Sequence, residues 1–243
     1  MERFLASQGE IAATLHRAFV PKLPSVPLVE LSAKYLPASK DAMIGGDWYD
    51  AIEMPDGRIL FSIGDVMGHG EQAAVSMSRA RQTLLTLAHF ETSPATILEK
   101  ASRVLFAQRQ PMTSAMCGFF VPESGAIVYA NAGHPPLIAV RHASGVEMLP
   151  SSGPPLGTFD DATYIDELLD AREGDMLVLY TDGVTEEDRD IDSGELRLLE
   201  CIRGAATVEP AYRAEHIAQN IFGEASPRDD AAILVLSFLA RAA

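Results

Sequence analysis

The chain has 243 residues, 47% of them hydrophobic, and a formal charge of −15 from 19 Lys and Arg against 34 Asp and Glu. That is enough apolar material for one large domain or two small ones, and it excludes a disordered chain. The acidic balance argues against nucleic-acid binding, which needs clustered Lys and Arg. No apolar run approaches the roughly 18 residues of a membrane span, and MERFLASQGE lacks a basic-then-apolar secretory order, so a cytoplasmic protein with no membrane partner is expected.

Residues 1–20 read as a helix. Ser7 and Glu10 have capping-box spacing, and Ile11, Leu15, Ala18 and Phe19 recur at helical intervals. Pro21, Pro24 and Pro27 then stop it, so the chain divides into a leader with a Pro-rich connector (1–24) and a main domain (25–243). The leader helix either packs on that domain or pairs with a second copy.

A strand follows over 28–36. The runs 47–53 and 58–65 flank Pro55-Asp56-Gly57, and an Asp-Gly between apolar runs predicts a hairpin. Helices are predicted over 70–90 and 94–108. The first carries Met77, Ala80, Leu84, Leu87 and Ala88 on one stripe. The second has Ser93 as N-cap, Pro94 at its first position, and Ile97, Leu98, Ala101 and Leu105 inward.

Strands return over 114–121 and 126–131, joined at Pro122-Glu123-Ser124-Gly125, then over 137–141, 146–149, 163–169 and 175–181. Helices over 194–204 and 210–223 precede a last buried strand, 231–238. Hairpin-linked strands with helices in pairs predict an α+β fold with mostly antiparallel sheets, rather than alternating βαβ units. Cys117 and Cys201, the only cysteines, are expected as two buried free thiols rather than a disulfide or metal pair.

Asp47, Asp65, Asp182 and Asp229 (or Asp230) each lie at the edge of an apolar strand. One such Asp is an ordinary strand-end cap; four, three of them beside glycine, point to convergence. Two carboxylates about 5 Å apart repel by about 3 kcal/mol at an effective dielectric near 20. Four ionised together would cost on the order of 10 kcal/mol, comparable to the whole stability of a domain. Convergence therefore implies bound cations or protonated acids. The ligands would all be oxygen, which suits Mg²⁺ or Mn²⁺ rather than Zn²⁺.

At these residues the chain resembles the bacterial PP2C-type serine phosphatases of the SpoIIE/RsbU group. The resemblance rests on Gly-Gly-Asp-Trp-Tyr-Asp (45–50), Gly-Asp-Val-Met-Gly-His-Gly (64–70), Asn-Ala-Gly-His-Pro-Pro (131–136), Gly-Pro-Pro-Leu-Gly (153–157), Tyr-Thr-Asp-Gly-Val-Thr-Glu (180–186) and Asp-Asp-Ala (229–231), all in family order. It implies a β-sandwich of two antiparallel sheets flanked by helix pairs, with a centre of two Mn²⁺ or Mg²⁺ ions at one end. Carried over by position, Asp65 would serve both ions, Asp47 one of them, and Asp182 and Asp229 the other, with the Val66 carbonyl completing a ligand set. The implied reaction is hydrolysis of phosphoserine or phosphothreonine by a cation-activated water. The implied partner is a phosphorylated regulatory protein, an anti-sigma-factor antagonist of STAS type, with a homodimer through the N-terminal helix also expected. The alternative is a catalytically silent partner-binding module of the same fold.

Three departures from the pattern matter. Ala232 replaces the Thr of the final motif. Met67 stands where eukaryotic relatives carry a His, which leaves the leaving-group acid unassigned. Their phosphate-holding Arg has no counterpart. His134 is read as structural; His69 is either a nearby group for that acid or a solvent-facing side chain at a helix start.

Overall fold

The computed structural model describes residues 21–38, 45–142, 145–149, 152–187 and 190–240. The expected N-terminal helix lies outside them. Among the described residues ten strands form two antiparallel sheets. The first has the order β1 (Val29–Leu36), β10 (Ala231–Phe238), β9 (Met176–Tyr180), β6 (Leu137–Arg141), β7 (Gly145–Leu149). The second has the order β2 (Trp48–Glu53), β3 (Ile59–Val66), β4 (Thr113–Val121), β5 (Ala126–Ala132), β8 (Glu167–Asp170). Helices α1 (Glu71–Ala88) and α2 (Pro94–Ala107) cover the second sheet, and α3 (Ile191–Ala205) and α4 (Arg213–Phe222) cover the first. The α+β sandwich flanked by helix pairs is thus as expected.

Local chemistry explains most of these elements. The β2–β3 hairpin closes at Asp56-Gly57, where Arg58 N–H donates to Asp56 Oδ1 at 3.1 Å and Gly57 N–H to the Met54 carbonyl at 2.9 Å. Gly57 takes φ +83°, which a side chain would resist. Ser93 caps α2 by accepting from Thr96 N–H at 3.1 Å.

Three expectations need correction. The chain over 163–169 is a strand only from Glu167, which pairs with Tyr129; Tyr164 turns away to pack under α2. The helix expected over 210–223 opens with a 3₁₀ turn at Pro210–Tyr212 and is α-helical only over Arg213–Phe222. Cys117 is buried, but Cys201 is only half-buried; both are free.

Strand alternation decides where the polar residues go. Phe61 and Ile63 on β3, Leu177 and Leu179 on β9, and Ala232, Leu234 and Leu236 on β10 face the core between the sheets, as do Tyr49, Met116 and Tyr129. Continue each stripe by one step of two toward one end of the sandwich and the apolar residue is replaced by Asp65, Thr181, Asp230, Asp47, Ser114 and Asn131, respectively. The inter-sheet core is therefore apolar along its length and polar at one end.

Candidate metal centre

Asp47 precedes β2 and Asp65 lies near the end of β3, so both come from the second sheet. Asp182 opens a 3₁₀ turn (Asp182–Val184) directly after β9, and Asp229 lies just before β10, so these come from the first. The acids meet electrostatically at the shared end. Burial, followed by the charge of Asp65, pushes the Asp47 carboxyl well above the usual carboxylate range. Burial and the Asp182 charge raise Asp65 to about 6, with Asp229 and Asp230 adding to the effect. Burial and Asp229 raise Asp182. The strongest charges acting on these groups are other carboxylates, so they form one cluster and not four isolated caps.

Asp47 is 4% exposed, and its Oδ2 is buried without a hydrogen-bond partner. Such an oxygen is costly unless something positive faces it. The backbone is drawn in tightly here. A Cβ on Gly46 would lie 2.7 Å from the Val66 carbonyl oxygen and 3.1 Å from Asp65 Oδ1, so the chain passes against both oxygens only because this residue is glycine. On the other sheet, a Cβ on Gly183 would lie 2.1 Å from the Asp230 carbonyl.

Asp229 and Asp230 divide their roles. Asp229 is exposed, whereas Asp230 is buried and accepts from Ala38 N–H at 3.0 Å. A Cβ on Gly45 would collide with its Oδ2, and Gly45 N–H in turn donates to the Tyr35 hydroxyl at 2.9 Å. Asp230 thus buckles the end of β1 to the segment leading into Asp47.

His134 is 2% exposed, and burial lowers its imidazole to about 3, so it is neutral. Its Nδ1 lies 2.9 Å from Ser114 Oγ, and Ser114 is paired with Asp65 across β3 and β4. Asn131 locks the turn by accepting from His134 N–H at 2.8 Å and donating to the His134 carbonyl at 3.1 Å. The structural role read for His134 fits this geometry. His69 and Met67 are exposed and line a groove of about 570 Å³ with Val75, Arg79, Gln110 and Pro111, starting two residues beyond Asp65.

Sequence reasoning missed Asp230 as a buried buckle, Thr181, the Asp50–Arg81 ion pair and Glu186. Burial together with Asp182 and Asp229 raises Glu186 as well. Thr181 and Asp230 continue the inward stripes of β9 and β10, but both strands are buried on both faces, so those stripes are set only once the fold is known. Nothing in the sequence pairs Asp50 with Arg81, 31 positions away.

Among the described residues, no three His, Cys, Asp or Glu side chains close around one point as a ready cation cage. The oxygen donors that could hold a cation include the carboxylates of Asp47, Asp65, Asp182 and Asp229 and the Val66 carbonyl. They fit hard divalent ions. The set is all oxygen and strongly anionic, it includes an orphaned buried carboxylate oxygen, and Mg²⁺ commonly takes only one or two carboxylates and keeps waters for the rest.

A two-sheet sandwich with outer helix pairs and carboxylates gathered at one end of the inter-sheet core defines a PP2C-type phosphatase fold. The PP2C domain of SpoIIE from Bacillus subtilis matches it with a TM-score of 0.77 at 16% identity, over 88% of this chain and 64% of that one. The RsbU and RsbW domains of Rv1364c from Mycobacterium tuberculosis match with a TM-score of 0.82 at 27% identity, over 93% of this chain and 64% of that one. The chain belongs to the SpoIIE family: residues 55–239 match the family model for Stage II sporulation protein E. The phosphoserine phosphatase RsbU of Bacillus subtilis strain 168 is 27% identical over 191 residues, which cover 76% of this chain and 56% of RsbU. The matched stretch covers 31% of the protein IcfG of Synechocystis and 40% of RsbP of Bacillus subtilis, so the chain spans less than half of either.

Proposed function

We propose that this chain is a metal-dependent protein serine/threonine phosphatase. Its substrate would be phosphoserine or phosphothreonine on a regulatory protein, with an anti-sigma-factor antagonist of STAS type as the favoured class. The observation that carries this reading is the gathering of Asp47, Asp65, Asp182 and Asp229 from two sheets at one end of the core, with Asp47 Oδ2 left unpartnered.

Asp65, which raises Asp47 and is itself raised by Asp182, would serve two Mn²⁺ or Mg²⁺ ions. Asp47 would complete one site, Asp182 and Asp229 the other, and the Val66 carbonyl would add a neutral oxygen. Bound there, such ions supply a water of lowered pKa and positive charge for the phosphoryl oxygens. The residues of the chain do the rest. Asp230 and the two close-packed glycines fix where the carboxylates stand. The neutral His134 holds Ser114 opposite Asp65. The groove beginning at Met67, with exposed Met67 and Val75 and the cation of Arg79, would receive the polypeptide flanking the phosphorylated side chain. On the same reading residues 1–24 are a leader able to pair with a second copy, 25–243 is the phosphatase domain, and the protein works in the cytoplasm. Among the described residues no helix is long and apolar enough to cross a membrane.

The test is hydrolysis of a phosphoserine STAS protein and of p-nitrophenyl phosphate with Mn²⁺, with EDTA, and by Asp65→Asn. Turnover should require the cation and fall about 100-fold or more in the variant, the scale on which losing a charge-stabilising group acts. Turnover in EDTA, or an unimpaired variant, would sink the reading. A folded protein that binds the phosphoprotein but never turns it over would be the silent binding module instead.

A further inference from the structure

Thr181 has no role in the reading above, yet it is the most enclosed polar side chain at the site, with 0% exposure. It follows β9 on the same stripe as Leu177 and Leu179. Its N–H donates to the Ala232 carbonyl at 3.1 Å, and its Oγ1 accepts from Ala232 N–H at 2.8 Å. The side chain thus extends the β9–β10 ladder by one rung. A hydroxyl that accepts from an N–H still has its own proton to place, and a buried hydroxyl proton needs an acceptor. The acceptor beside it, across the gap between the sheets, is the carboxylate of Asp47.

We infer that Thr181 is a positioning residue for Asp47. Its hydroxyl proton engages one carboxylate oxygen and leaves Oδ2, the buried oxygen without a partner, aimed at the cation. The chain runs from the Ala232 amide through Thr181 Oγ1 to Asp47, so the first sheet sets the orientation of a ligand carried by the second. This explains why a carboxylate at the start of β2 is held by a residue more than 130 positions away. It rests on the assignment of Asp47 as a cation ligand and adds what orients it. Partners of this kind, one step removed from a metal, are commonly worth 10–100-fold in affinity.

The test is Mn²⁺ affinity, measured on the whole chain by electron paramagnetic resonance of free Mn²⁺ and by calorimetry, for wild type, Thr181→Val and Thr181→Ser. Each variant is also melted in EDTA. The Val variant keeps shape but loses both the proton offered to Asp47 and the acceptor for the Ala232 amide, and its Mn²⁺ binding should weaken about tenfold or more. The Ser variant restores the hydroxyl and should bind within about threefold of wild type. Thr181→Ala removes the same hydroxyl with less bulk and takes the place of the Val variant if that one does not fold. Equal affinity in wild type and a folded Val or Ala variant would overturn the assignment. So would a folded Ser variant as weak as Val, because a hydroxyl at this place would then not be what sets the affinity. A wild-type chain that binds no Mn²⁺ would overturn it together with the metal centre on which it rests.

Discussion

Asp65 is where the charge of the cluster becomes measurable. Its carboxyl is raised from 3.8 to about 6 by burial and by the Asp182 charge. Between those values the folded protein holds a proton that the unfolded chain has released. Stability therefore falls as pH rises from about 4 to about 6, and the penalty is fully present above 6. In EDTA the protein should melt higher at pH 5 than at pH 7.5, by the equivalent of about 1–3 kcal/mol. Asp65→Asn should flatten that slope, and saturating Mn²⁺ should flatten it too, because a cation replaces the proton. A melt that drops on acidification over this range would mean that the carboxylates do not crowd one another. The four aspartates could be read from sequence because each follows or precedes an apolar run and three touch glycine. The division between Asp229 and Asp230 could not. It depends on which neighbour falls on the inward stripe of β10, and that is fixed only once the strand's face is known. Counting back from Leu234 through Ala232 puts Asp230 inside.

At the level of elements, β2 is held to α1 by an ion pair within the helix-facing layer. Arg81 Nε donates to Asp50 Oδ2 at 2.8 Å and Nη2 to Asp50 Oδ1 at 2.6 Å, a two-pronged contact with Asp50 almost wholly buried. Burial pushes the Asp50 carboxyl up, and the guanidinium opposes that. Removing one member of a buried pair strands the other, which typically costs about 3–5 kcal/mol. Asp50→Ala should lose that much in urea unfolding. Replacing Arg81 as well should recover part of the loss, and a double-mutant cycle reads the coupling directly. A loss under about 1 kcal/mol would place the pair among weak surface bridges. Hairpins were found within a residue or two because an Asp-Gly or a Gly-containing turn marks where they reverse. Strand β8 was misplaced because it is an outer strand with Glu167 and Leu168 exposed, so its sequence shows no alternation to read. Tyr164 and Ile165 imitate a strand start, but Tyr164 anchors beneath α2 with its hydroxyl donating to the Pro154 carbonyl at 3.0 Å.

For the whole molecule, the proposed centre belongs to neither sheet alone. Asp47, Asp65 and Val66 stand on the sheet ordered β2-β3-β4-β5-β8, and Asp182 and Asp229 flank strands of the sheet ordered β1-β10-β9-β6-β7. Strand order of this kind could not be deduced from sequence, because β10 inserts between β1 and β9 from the far end of the chain. The consequence is thermodynamic. An ion held from both sides binds only where the two sheets are already packed, so its binding free energy adds to the cohesion of the entire sandwich. At a free Mn²⁺ concentration 100 times its dissociation constant the gain is about 2.7 kcal/mol. A protein of this size melts roughly 2–4 °C higher per kcal/mol. Mn²⁺ should therefore raise the melting temperature by roughly 5–10 °C in one cooperative transition seen alike by circular dichroism and by the fluorescence of Trp48, which is buried against Gly64 beside the site. Asp65→Asn should lose most of that rise and Asp182→Asn should lose it as well, although the two residues sit on different sheets. A rise that survives either substitution, or that appears in one probe and not the other, would mean that the cation is held by one sheet and the two layers unfold independently of it.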